Sequence, residues 1–277
     1  MQFASKRVLA ALVAAFVVWW WANQQHPADT QETLELPALV SSCAAPELPD
    51  FLAYPAGAAR KQAFFDYLLP WVRCENDVLL HQADTVAALR EQSLLQPAQQ
   101  AWLRELCQHY LPAEQCAPSV DWNELSLRVG AVPASLVLVQ AANESGWGTS
   151  RFAREANNLF GQWCFAEGCG LVPFQQRDGF HYEVRHYANV SESLRSYMHN
   201  LNTHTRYQSF RKLRYRFRSE SRQLSGVQLA EGLEGYSERG EAYIRELQQM
   251  IRHNRLQQVE RKPGERELFA SDFDTAQ

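Results

Sequence analysis

No glycine-rich phosphate loop, no His-Glu-x-x-His and no Cys-x-x-Cys pair occurs in the 277 residues. The first absence argues against nucleotide binding, and the other two against zinc hydrolysis and structural zinc. An excess of positive charge is also missing. The 27 Lys and Arg against 31 Asp and Glu leave a net charge of −4, which excludes a nucleic-acid binder that relies on bulk positive charge. There are no internal repeats, so no solenoid is expected. What is present is a core-forming composition. Hydrophobic residues make up 46% and charged residues 21%, which excludes wholesale disorder, and the length suits one or two domains. Aromatic residues reach 12%, with 8 Trp, and such side chains suit cores but also carbohydrate and interface surfaces.

The N-terminus carries Lys6 and Arg7, then the apolar run Val8–Ala22, then polar residues. Basic residues before about 15 apolar ones form the pattern of a secretory signal or signal-anchor. The run is short against the roughly 20 residues of a full span. Trp19, Trp20 and Trp21 at its outer end suit a membrane interface, and no small-x-small cleavage site follows, so an uncleaved anchor is expected. Six cysteines, Cys43, Cys74, Cys107, Cys116, Cys164 and Cys169, fit an oxidising compartment. Their number leaves many pairings open. Proximity favours Cys107–Cys116 and Cys164–Cys169, leaving Cys43–Cys74.

Residues 26–57, rich in Pro, Gln, Ser and Ala, have no sustained period and read as a linker. Helical spacing begins at Ala58. Phe64, Phe65, Leu68 and Leu69 form a stripe, Pro70 interrupts it, and Trp71, Val72, Val78, Leu79, Val86 and Leu89 continue. A further helix starts at Pro97. Asp121 with Glu124 three residues on predicts an N-cap, Gly130 a C-cap, and Pro133 the first turn of the next helix. Residues 171–187 alternate around Arg177-Asp-Gly179 and predict a β-hairpin. Helical spacing then returns at Leu194, Tyr197, Met198 and Leu201, and again at Tyr243, Ile244, Leu247 and Ile251, before a frayed charged tail over 258–277. The run Arg206–Arg222, seven basic residues against Glu220, reads as a solvated helix face. His181, His186, His199 and His204 are scattered, so no metal is assigned and no cofactor is implied.

The segment carrying chemistry is Pro133–Gly148. Leu136, Val137, Val139 and Ala141 predict a largely buried helix, with Gln140 and Glu144 four apart on one face. Gly146 and Gly148 end it, which leaves Glu144 where the helix dipole disfavours a carboxylate and raises its pKa. Trp147 adds desolvation. A carboxyl kept protonated near neutral pH is what a glycosidase general acid requires.

Glu144-Ser-Gly-Trp-Gly148 followed by Asn157-Asn-Leu-Phe-Gly161 resembles the bacterial peptidoglycan-hydrolase family of β-N-acetylglucosaminidases. That family includes the C-terminal domain of the flagellar muralytic protein and cell-wall autolysins. The resemblance extends over about residues 120–255. The helical leader at 58–111 and the run Tyr197-Met-His-Asn-Leu-Asn-Thr-His204 look more narrowly like the exported Bax proteins of Gram-negative bacteria. It implies a mainly α, lysozyme-like fold with a small β-hairpin lobe and an N-terminal helical extension. Glu144 falls on the family's general acid. Asn157, Asn158 and Phe160 fall on the motif lining the glycan cleft, with Gln140 and Trp147 beside it. Tyr236 matches a C-terminal tyrosine that several members require, and Tyr243 lies on the same element. One departure stands out: the first hairpin strand, where members often carry a second acidic residue, reads Val172-Pro-Phe-Gln-Gln-Arg177. Glu183 and Glu167 are the substitutes for that carboxylate.

The expected activity is hydrolysis of the β-1,4 bond after N-acetylglucosamine in peptidoglycan glycan strands. The alternatives are a muramidase or lytic transglycosylase, and a catalytically disabled glycan-binding module. The expected organisation is a signal or anchor over 1–25, the linker to 57, a helical extension over 58–118, the glucosaminidase domain over 119–257, and the tail.

Overall fold

In the computed structural model, which describes residues 34–174 and 182–260, apolar residues at helical spacing form helices over most of the chain. The segments expected at residues 1–25, the hairpin tip with Phe180 and His181, and most of the tail lie outside the described residues. Among those described, no helix is long and apolar enough to cross a membrane.

The first helix, α1 (Ala58–Arg90), runs through Pro70 without a break. A proline inside a helix costs about 3 kcal/mol because it removes one hydrogen bond and crowds the preceding turn. Here Phe64, Phe65 and Leu68 before it, and Val72, Ala83, Val86 and Leu89 after it, are all buried. Each large side chain contributes about 1.5–3 kcal/mol of burial, so packing on one common core outweighs the proline. The two expected helices are therefore one. Next come α2 (Pro97–Tyr110) and α3 (Trp122–Arg128), the latter capped by Asp121, whose carboxylate accepts from Glu124 N at 3.0 Å. The expected C-cap at Gly130 is corrected to Val129. Gly130 has another role: a Cβ there would meet the Arg214 guanidinium at 3.1 Å.

The helix α4 (Ala134–Ser145) is buried on nearly every side and packs against α1 and the late helix α9 (Glu241–His253). Between them in sequence lie α5 (Arg151–Ala156), α6 (Val190–Thr203), α7 (Gln208–Ser219) and α8 (Gly226–Leu229). The β lobe is a three-stranded antiparallel sheet of β1 (Trp163–Cys164), β2 (Gly170–Leu171) and β3 (Glu183–Arg185), in the order β1-β3-β2. β2 and β3 pair as the expected hairpin, but the strands are shorter than the alternation suggested, and β1 was not anticipated. The fold is mainly α with a small β lobe, as the lysozyme-like expectation required.

Three further expectations are corrected. Residues 36–57 are not a free linker. Trp102 Nε1 donates to Pro37 O at 2.7 Å, Gln82 Nε2 donates to Ala38 O at 2.7 Å, and Cys43 is bridged to Cys74. Arg211 and Arg214 in α7 are not solvated but almost fully buried. Arg214 donates to the carbonyls of Leu127, Arg128, Gly130 and Ala131, and Arg211 to those of Leu201 and His204. Each guanidinium thus satisfies the orphan carbonyls, and the negative dipole end, of a helix terminus. For the expected tail the correction covers residues 258–260 alone, which complete the 3-10 helix Leu256–Glu260. Glu260 accepts from Ala134 N, Ser135 N and Ser135 Oγ, and so caps the N-terminus of α4. The disulfides are the neighbour pairs Cys43–Cys74, Cys107–Cys116 and Cys164–Cys169.

Candidate active site

The residues Glu144-Ser-Gly-Trp-Gly148 form the exit from α4, and each is used. Ser145 Oγ donates to Ala141 O and accepts from Gly148 N. Gly146, Trp147 and Gly148 take successive left-handed φ values of 57°, 62° and 75°. Glycine permits that geometry, and Trp147 holds it against strain because its ring is pinned on Phe64 and Phe65, with Lys61 Nζ 4.9 Å above it. A side chain at Gly148 would meet Phe51 at 2.4 Å. The turn therefore locks the end of α4 onto α1 through Trp147, which the structure places against α1.

Glu144 stands on the opposite side, facing α9. One side of it is open to solvent, while close-packed atoms on the others withdraw water from its carboxyl. This desolvation is the largest cause of a pKa raised above the ordinary carboxylate range. Hydrogen bonds from Tyr243 and Asn143 oppose it, Glu246 adds to it, and Arg239 opposes it. Tyr243 donates to Glu144 Oε1 at 2.9 Å. Gln140 Nε2 donates in turn to the Tyr243 hydroxyl at 3.0 Å, and the Tyr197 hydroxyl donates to Gln140 Oε1. Gln140 and Tyr197 are fully buried.

Aromatic rings join this chain to the other motif. Phe160 stacks on Tyr197 with centroids 3.9 Å apart, and Tyr236 stacks on Tyr243 at 5.5 Å. Tyr236 also meets Tyr197 at 6.5 Å and Tyr207 at 5.9 Å. Glu144, Tyr236, Tyr243, Gln140 and Phe160, read from three separate stretches of sequence, thus come together. The Tyr236 hydroxyl makes no hydrogen bond among the described residues. Asn157 and Asn158 hold the loop rather than presenting open amides. Asn157 Nδ2 donates to Tyr187 O at 3.0 Å, and Asn158 Nδ2 donates to Gln162 O and Arg185 O at 2.9 Å each. Asn158 Oδ1 accepts from Phe160 N and Gln162 N.

Glu183 is not aimed at Glu144. Its two oxygens accept from Gly168 N at 2.9 Å and Gly170 N at 2.6 Å, which ties β3 to the loop closed by Cys164–Cys169. Glu167 is exposed on that loop. These two cysteines and Glu183 form the one cluster of metal-ligand residue types among the described residues, but both sulfurs are spent in the disulfide. Sequence reading missed the acidic neighbour that does act on Glu144. Glu246, one turn beyond Tyr243, is paired with Arg239 at 2.8 Å. The spacing Tyr243–Glu246 along α9 was the available signal. Tyr197 was read as a core position only.

Residues 121–256 match the glucosaminidase family, described as mannosyl-glycoprotein endo-beta-N-acetylglucosaminidase. The chain is also 33% identical over 215 residues to "Protein bax" of Escherichia coli (strain K12), which covers 77% of each chain. No solved structure matches it.

Proposed function

Because the chain belongs to the glucosaminidase family, a family of glycoside hydrolases, we propose that it is an endo-β-N-acetylglucosaminidase cleaving the β-1,4 bond after N-acetylglucosamine in peptidoglycan. The observation that carries this reading is the state of Glu144. Its carboxyl is reachable from solvent, held at Oε1 by Tyr243, and pushed towards the protonated form by desolvation. Such a group can give a proton to a leaving glycosidic oxygen, as a general acid must. Tyr236, stacked on Tyr243, is the proposed contact to the reacting sugar, with Asn157, Asn158 and Phe160 shaping the cleft and Trp147 bracing the turn from the α1 side.

Glu183 is engaged by two backbone amides and Glu246 by Arg239, so neither is a free second carboxylate. That favours assistance by the substrate's own N-acetyl group over a protein nucleophile. The catalytic domain is assigned to 119–257 and the helical extension to 58–118. Three disulfides support a periplasmic location, with residues 1–25 as signal peptide or inner-membrane anchor.

Glu144→Gln keeps the side chain's shape but removes the transferable proton. General acid catalysis is worth about 10²–10⁴-fold, so hydrolysis of purified sacculi should fall at least a hundredfold with folding unchanged. Residual activity above about a tenth of wild type would sink the assignment. Mass spectrometry of the released fragments tests the cleavage site. Reducing N-acetylglucosamine ends support the proposal, whereas 1,6-anhydro ends point to a lytic transglycosylase.

A further inference from the structure

We propose that Tyr197 and Gln140 are positioning residues that fix the direction of the Tyr243 proton and thereby decide which oxygen of Glu144 carries the acid proton. The proposal rests on the reading of Glu144 as the general acid. Gln140 has 0% exposure and cannot touch a substrate. Its amide has two ends of opposite character, and it joins two hydroxyls, each with a single proton.

In the observed order, Tyr197 donates to Gln140 Oε1, Gln140 Nε2 donates to Tyr243, and Tyr243 donates to Glu144 Oε1. Protonation makes a carboxyl oxygen the poorer acceptor, so while Oε1 accepts from Tyr243 the acid proton is favoured on Oε2. Rotating the amide by half a turn reverses the logic. Tyr243 would then donate to Gln140, and a protonated Glu144 would point its proton at Tyr243, away from any substrate.

Tyr197 blocks that reversal. It is fully buried, and Gln140 is its hydroxyl's single hydrogen-bond partner among the described residues. A reversed amide would meet it with N–H groups and leave its own proton unpaired in the core. An orphaned buried donor is disfavoured by roughly tenfold or more in population. The stack of Phe160 on Tyr197 holds the ring in place, which links the Asn157–Gly161 motif to the acid. The other groups facing Glu144 are Asn143 on α4, Arg239 in the preceding loop, Glu246 on α9, and Tyr207 and Tyr236. Among the described residues none of these hydrogen-bonds to the Gln140 amide, which is engaged by Tyr243 and Tyr197.

The test compares Tyr197→Phe, Gln140→Met and the double variant, with Glu144→Gln as control, on solubilised peptidoglycan strands across pH. Tyr197→Phe removes one oxygen and lets both amide orientations compete, so kcat should fall about three- to tenfold. The basic limb of kcat/KM should move to higher pH, because Tyr243 no longer always stabilises the carboxylate. In Gln140→Met no competing acceptor exists for Tyr243, so the loss should be smaller. The double variant leaves no unpaired hydroxyl and should lose no more than Gln140→Met, rather than the product of the two single losses. It also remains informative if Tyr197→Phe folds poorly.

A folded Tyr197→Phe with unchanged kcat and basic limb overturns the proposal. So does a double variant whose losses multiply. If Glu144→Gln stays active, the underlying reading fails instead, and the two failures are distinct.

Discussion

One helical turn separates Gln140, which has no exposure, from Glu144, which is open to water on one side. The spacing of four put both on one face of α4, and the structure shows that this face is where burial ends. Tyr236 marks the same boundary from the other wall. Its ring is fixed by stacking on Tyr243, while its hydroxyl is unengaged among the described residues. Tyr236→Phe keeps that stacking, so stability should change by less than about 0.5 kcal/mol in urea unfolding. If the hydroxyl binds the reacting sugar, turnover should fall about 10- to 100-fold, the worth of one well-placed hydrogen bond in a water-excluded site. A variant with wild-type turnover would make Tyr236 a core residue.

At the scale of elements, α4 is held at both ends by parts distant in sequence: Glu260 caps its N-terminus, and Trp147 clamps its exit to α1. The β lobe is held differently, by the Cys164–Cys169 bridge and by Glu183, which fastens the same loop to β3. The closed loop is short, so reducing it should cost only a few kcal/mol of stability at most. A displacement of about 1 Å at a cleft wall can cost on the order of 10²-fold in rate. Cys164→Ser/Cys169→Ser should therefore lose much more sacculus hydrolysis than melting temperature, and a proportionate loss of both would contradict this.

The helices and their order were legible because local signals set them: Asp121 as a cap, Pro97 as a start, and Gly146 as a stop. The errors had non-local causes. Pro70 reads as a break until the core on either side of it is known. Arg211 and Arg214 read as solvent-facing because their acceptors are backbone carbonyls, which no side-chain pattern reveals. Glu144 was visible in the site from its place on the helix. The link from Tyr197 through Gln140 was not, since it joins side chains of α6 and α4 that lie 57 residues apart in sequence.

Across the described residues, three carboxylates are held above their ordinary pKa of 4.5, each where separate parts of the chain meet. Glu75 joins Ser41, α1 and Arg195 of α6. Glu144 is the proposed acid, and Glu260 joins the end of the described chain to α4. Burial is the largest cause in all three, and in each the hydrogen bonds only partly offset it. A raised carboxylate pKa means that the folded state binds protons more readily than the unfolded chain. The stability these groups contribute is therefore fully present below about pH 4.5 and declines as pH climbs through the raised values. His109, whose pKa is lowered from 6.5 mainly by burial, acts in the opposite sense, adding stability as pH rises towards 6.5.

Single variants separate the contributions. Glu144→Gln should match wild type in unfolding free energy near pH 4 and exceed it at pH 7. Water on the open side keeps the gain below about 1 kcal/mol. Glu260→Gln behaves differently, because an amide cannot accept from both Ala134 and Ser135 with two oxygens. Losing one acceptor at a helix N-terminus costs about 0.5–2 kcal/mol, so this variant should be less stable than wild type at both pH values, with a flatter pH profile. Urea unfolding at pH 4 and pH 7 reads all three proteins. A Glu144→Gln variant no more stable than wild type at neutral pH would show that the acid carries no desolvation cost, and would remove the physical basis for keeping it protonated.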